Sequence, residues 1–203
     1  MKEYKVKMLD KFPECFDDIE KAEINECVWL FDYKPYSFAQ VVFVKNEGFL
    51  IKLTSFESNP KAVHQGFYSD VYKDSCLEVF AKFDNSCEKY VNIETNSIGA
   101  SLIAIGRDRH ERVRIDEIIE KPFPVEAFKD KDKWSTEIFV SLKDLEKLYG
   151  LDRSIFKEGY EFYGNFYKCG DETETEHYVM WNRVETEMPD YHRPEYFGKF
   201  ILI

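Results

Sequence analysis

The sequence predicts an all-β protein: an antiparallel β-sandwich, immunoglobulin-like or jelly-roll-like in its layering, with one short helix. Three observations carry this expectation. Short apolar or alternating segments recur along most of the 203 residues, only one segment shows a helical period, and 18 Phe, 13 Tyr and 3 Trp make 17% of the chain aromatic. Such a composition suits pleated, half-buried surfaces. No internal repeat, low-complexity tract or Gly/Ser linker divides the sequence, so residues 1–203 are expected to form a single domain.

The predicted strands are Glu26–Tyr33, Phe38–Lys45, Gly48–Thr54, Cys76–Phe83, Tyr90–Thr95, Ala100–Ile105, Trp134–Val140, Tyr160–Tyr167, His177–Trp181 and Phe197–Ile203. Asn46, Glu47 and Gly48 read as a short hairpin turn. The helix follows Ser141, a capping residue; Leu142, Leu145 and Leu148 share one of its faces, and Gly150 ends it. Trp29 and Trp134 alternate with apolar neighbours and are expected in the core.

Alternation along a strand sorts side chains by face. Leu77, Val79, Ala81 and Phe83 fall on one side, with Glu78, Phe80 and Lys82 on the other. Val91 and Ile93 point one way while Tyr90, Asn92 and Glu94 point the other; Phe162 and Phe166 suit the core, turning Tyr163, Asn165 and Tyr167 away from it. If these strands are neighbours, one sheet face gathers carboxylates, amides and phenols.

The 28 Lys and Arg against 39 Asp and Glu give a net charge of -11, which repels polyphosphates and anionic lipid surfaces. Nucleic acid and membrane are therefore not expected partners. The start, from Met1 to Asp10, lacks the apolar core of a signal peptide, and the five cysteines (Cys15, Cys27, Cys76, Cys87, Cys169) fit reduced thiols in a cytoplasmic setting. They show no zinc-finger spacing.

The run Tyr72-Lys-Asp-Ser-Cys-Leu-Glu-Val-Phe80, then Tyr90-Val-Asn-Ile-Glu-Thr-Asn96 and Gly99, resembles a strand and its partner in the family 9 carbohydrate-binding modules, within the wider DOMON-like superfamily. The stretches Phe162–Asp171, His177–Asn182 and Pro189–Gly198 resemble that family's C-terminal signature. The resemblance implies a β-sandwich that binds a mono- or oligosaccharide between two aromatic rings. By motif position Tyr72 is the first ring, Trp181 the second, and Glu78 and Asn165 the polar partners. The sequence departs from the family where Tyr72 replaces an expected tryptophan, and where the strand around Tyr90 carries no arginine.

Other chemistries leave weaker marks. Glu78 and Glu94 offer a pair of carboxylates such as glycoside hydrolysis uses, but no nucleophile elbow, zinc-protease motif or phosphate loop is present, so a non-catalytic module is expected. No cofactor is expected, although Asp70, Asp74, Asp84 and Asn85 make calcium a candidate ligand. Met180 beside His177 is the only hint of the haem binding found elsewhere in the superfamily. A protein-interaction domain without a sugar site is a further alternative.

Overall fold

The computed structural model describes residues 1–29 and 31–203. In chain order its strands are β1 (Glu3–Leu9), β2 (Ala22–Glu23), β3 (Ser37–Val44), β4 (Gly48–Ser55), β5 (Cys76–Lys82), β6 (Tyr90–Asn96), β7 (Ser101–Gly106), β8 (Arg112–Arg114), β9 (Val125–Lys129), β10 (Trp134–Ser141), β11 (Glu161–Gly170), β12 (His177–Met180) and β13 (Gly198–Leu202). The helix is α1 (Leu142–Tyr149). As expected, Ser141 Oγ accepts from the Asp144 amide, the three leucines are buried, and Gly150 takes a left-handed φ of 71°.

The strands form one curled sheet in the order β8-β7-β6-β5-β11-β13-β1-β3-β4-β10-β9, with β12 on β11 and β2 on β3. It folds back at β1, whose residues 3–6 pair with β13 and residues 7–9 with β3. The two layers so formed close on one core. Leu77, Val79, Val91, Ile93, Phe162 and Phe166 of one layer belong to the same buried cluster as Val41, Phe49, Ile51, Leu53, Ile138 and Val140 of the other. The Phe49 ring meets Phe83 and Phe162 at 5.0 and 5.2 Å, and the Thr95 and Thr136 hydroxyls touch across the interior at 3.0 Å. Each such side chain contributes about 1.5–3 kcal/mol by leaving water.

Nine of the predicted strands appear with small boundary shifts. In Glu26–Tyr33, by contrast, Glu26 makes only a bridge to Met180, and Leu30 lies outside the described residues. Four strands go beyond the prediction: β1, β2, β8 and β9. In β1 the alternation is present, Tyr4 and Val6 buried between charged neighbours, but the strand is parallel to both its partners, so the sandwich is not purely antiparallel. The Asn46 turn is as expected. Gly48 is required there, because a Cβ would lie 2.2 Å from the Val140 carbonyl oxygen.

A charged cluster is also sealed between the layers. Glu57 Oε2 accepts from Ser55 Oγ, Ser75 Oγ and Trp134 Nε1, and lies 3.5 Å from Lys168 Nζ, a side chain with no solvent exposure. Lys168 also donates to Ser75 Oγ, the Cys169 carbonyl and His177 Nε2. Burial alone would raise the Glu57 carboxyl, but the Lys168 charge and the three side-chain donors outweigh it and hold it low. Burial and the neighbouring ammonium push His177 down to about 4. Its Nε2 therefore accepts from Lys168, and its Nδ1–H donates to Thr175 O.

The opposite face of β5, β6 and β11 does not meet water either. The segment after β12 crosses it, so that Val184, Tyr191 and Phe197, with Trp29 from the N-terminal half, cover Phe80, Tyr90, Tyr167 and Cys169. Tyr191 stacks on Tyr167 at 4.0 Å and 13°, and its hydroxyl reaches the carbonyls of Lys168 and Val179.

Candidate carbohydrate-binding site

Where this cover stops, a cleft of about 260 Å³ opens over the end of the sheet. Strand order fixes its plan. Arg112 comes from β8 on one side, Glu94 from β6 and Glu78 from β5 lie on the floor, Cys169 comes from β11, and Tyr178 from β12 closes the other side. Tyr72, just before β5, is held beside the end of β11 because its carbonyl accepts from the Asp171 amide. Asp171 and the roof residues Asp190, Tyr191 and His192 complete the wall, and Arg109 reaches in from the β7–β8 turn.

Glu78 and Glu94 are register partners on adjacent strands, each 3% exposed. Burial raises the Glu78 carboxyl well above its ordinary range, and the neighbouring Glu94 carboxylate adds to the effect. Burial takes Glu94 to about 7, opposed by the Arg112 guanidinium at 3.6 Å and by the Asn92 amide that donates to it. Of the pair, Glu78 is the more strongly raised, and the Arg112 guanidinium favours charge on Glu94. Burial raises Asp171 as well. His192 is pushed down to about 3 by burial and the two arginines, so its ring is neutral. Its Nε2 faces the donor Arg112 at 3.2 Å, which leaves Nδ1–H to donate to the Tyr90 oxygen at 2.7 Å. Flat phenol rings, buried carboxyl groups and guanidinium donors therefore share one small space.

Of the four residues singled out by motif, the structure brings Tyr72 and Glu78 to the cleft. Trp181 is corrected to a core residue. It is 4% exposed, packs on Tyr4, Phe166 and Phe200, and sits over Gly198, where a Cβ would lie 2.3 Å from its ring. Alternation explains the error: with Val179 in the core, Trp181 falls on the same side and Tyr178 on the cleft side. Asn165 is on the foreseen face but fully buried, its amide bonding the backbone of Asn182 from both ends. It braces the strand that carries Tyr178 and is corrected to a structural role. Arg112, absent from the strand around Tyr90, arrives from the three-residue strand β8, which is too short to leave a periodic signal.

The calcium candidates do not converge. Asp70 and Asp74 precede β5, whereas Asp84 and Asn85 follow it, and Asp74 is occupied by the amides of Val63, His64 and Asn96. His177 and Met180 lie on opposite faces of β12, one bonded to Lys168 and the other in the roofed cluster. Among the described residues no helix is long and apolar enough to cross a membrane.

No curated protein sequence matches the chain significantly. Among solved structures, a candidate carbohydrate-binding protein from Bacteroides uniformis ATCC 8492 superposes with a TM-score of 0.81 at 21% identity, covering 100% of this chain and 99% of its own. A family 9 carbohydrate-binding module from Caldicellulosiruptor kristjanssonii in complex with glucose gives 0.67 at 10% identity, over 100% and 96% of the two chains. The cellotriose complex of a family 9 module from the same organism gives 0.64 at 10% identity, over 99% and 93%. These similarities establish the fold. The sequence model of carbohydrate-binding family 9 matches residues 10–202, and the chain belongs to that family.

Proposed function

We propose that the chain is a non-catalytic module that binds a saccharide in the cleft between the Tyr72 and Tyr178 side and the Arg112 side. The observation that carries this reading is the joint presence, in one cleft, of ring surface and of buried hydrogen-bonding groups of both signs. A pyranose has C–H faces and a rim of hydroxyls. Tyr72, Tyr178 and Tyr191 supply ring surface. The Glu78, Glu94 and Asp171 carboxyls accept from hydroxyls when ionised and donate to them when protonated, and Arg112 and Arg109 donate. Cavities for drug-sized ligands span roughly 300–1,000 Å³, so a cleft of about 260 Å³ suits one ring at a chain end. Family membership and the glucose and cellotriose complexes of structurally similar modules support the same ligand class.

The absence of catalysis is part of the proposal. Glu78 and Glu94 lie side by side on neighbouring strands beneath the ligand, whereas hydrolysis needs carboxylates flanking the scissile bond.

Calorimetry with glucose and cellotriose tests the reading. The expected dissociation constant lies between about 1 mM and 1 μM, or roughly -4 to -8 kcal/mol. Tyr72→Ala and Arg112→Met, with folding checked by circular dichroism, should each cost about 2 kcal/mol. Unchanged affinity in both folded variants, or release of reducing sugar from cellotriose by the parent, would refute it.

A further inference from the structure

We infer that Cys76, Glu78 and Cys169 form a binding site for a thiophilic divalent cation of the zinc type on the floor of the cleft. The site shares Glu78 with the proposed saccharide cleft, and a cation there would take that carboxyl as an ionised ligand instead of leaving it to a sugar hydroxyl; the test needs no carbohydrate.

The sheet itself builds the site. Cys76 and Cys169 are register partners across β5 and β11, and Glu78 follows two residues along β5 on the same face. One ligand atom from each lies within 4.8 Å of the others, and the three residues are 0%, 2% and 3% exposed. A tetrahedral zinc with bonds of about 2.0–2.3 Å spaces its ligand atoms roughly 3.3–3.8 Å apart. The present separations, 3.0 Å between Cys169 Sγ and Glu78 Oε1 and none above 4.8 Å, bracket that spacing.

The chemistry of the donors selects the ion. Two sulfurs favour zinc or copper(I) over calcium and magnesium, and three protein ligands leave one coordination position free. Glu78 and Cys169 line the cleft, so the site is open to it. The surroundings also lack what a buried carboxyl needs. Among the described residues, the hydrogen bond made to Glu78 comes from the Cys169 thiol, a weak donor, and the guanidinium of Arg112 is turned to Glu94. A cation at this point would satisfy Glu78 and both sulfurs together. Binding must release thiol protons, since the thiolate is the ligand form of cysteine.

The test is titration of the full chain with cobalt(II), free of other metals, under anaerobic conditions with a phosphine reductant. We expect a thiolate-to-cobalt charge-transfer absorption that saturates at one ion per chain, is displaced by zinc, and weakens as pH falls. It should vanish in Cys76→Ser and in Cys169→Ser and survive joint replacement of Cys15, Cys27 and Cys87 by serine. Glu78→Gln keeps both thiols and the side-chain shape, so it guards against misfolding of the serine variants; it should lower cobalt affinity with the charge-transfer band retained. No charge-transfer band in the parent, or a band that persists in both single serine variants, would overturn the site, as would unchanged cobalt affinity in folded Glu78→Gln.

Discussion

Glu57 and Glu78 are both buried carboxyl groups, and they are treated in opposite ways. Glu57, between the layers, has an ammonium and three hydrogen-bond donors converging on one oxygen. Glu78, on the far face of the same sheet, has a thiol and another carboxylate for company. The first group is held low and the second is raised. A buried acid whose needs are met from within the chain is a structural element; one whose needs are unmet is a place prepared for something from outside. The contrast separates scaffold from site more sharply than burial does, for both groups are hidden from solvent.

The largest effect should come from breaking the satisfied cluster. Lys168→Met leaves Glu57 without its cation and should cost about 3–5 kcal/mol in denaturant unfolding. Adding Glu57→Gln to that variant should recover part of the loss. A Lys168→Met protein as stable as the parent would show that hydrogen bonds alone hold Glu57.

The next effect sharpens the comparison through pH, because groups of the two regions oppose each other in one window. His177 is shifted from 6.5 down to about 4, so the unfolded chain binds more protons between those values and this cluster gains stability as pH rises through them. Glu94 is shifted from 4.5 up to about 7, so the folded chain binds more protons and this cluster loses stability as pH rises through that range. In the cleft, His192 is shifted from 6.5 down to about 3 and acts in the same direction as His177, while the raised Glu78 acts in the same direction as Glu94. Rising and falling contributions therefore oppose each other between about pH 4.5 and 6.5, and removing Glu94 takes away one of the falling ones. In metal-free buffer the stability of Glu94→Gln should rise more steeply with pH across this range than that of the parent; an unchanged slope would contradict the assignment.

The smallest effect falls on Trp181. Because its ring belongs to the core, Trp181→Phe should lower thermal stability yet leave saccharide affinity within about 0.5 kcal/mol of the parent, as independent sites behave. Loss of sugar binding in a folded Trp181→Phe protein would return the ring to the site.

Much of this arrangement was legible in the residues. Period-two alternation gave the faces of β5, β6 and β11 correctly, and the cap, leucine face and terminal glycine gave α1. The same alternation applied to His177–Trp181 would have named Tyr178 rather than Trp181, since Val179 and Trp181 share a side. What could not be read is long-range. Arg112 acquires its role because β8 pairs with β7, two strands away from Glu94's neighbour β5. Lys168 is buried because Glu57, more than a hundred residues earlier, meets it inside the sandwich. Asn165 was placed on the correct face, but whether its amide was free depended on where Asn182 would pass.

The placement of β1 has a kinetic meaning. Its first half is flanked by β13 and its second half by β3, so the earliest strand of the chain waits for the latest before Glu3 can find Lys199. Closing so long a loop is costly, and sheets dominated by such pairings assemble slowly. During synthesis the β3 side of the fold can form while the edges of β1 and β11 stay open to other strands. Arrival of Gly198–Leu202 then fills the gap between them and closes the curl, a single late event on which the integrity of both layers depends.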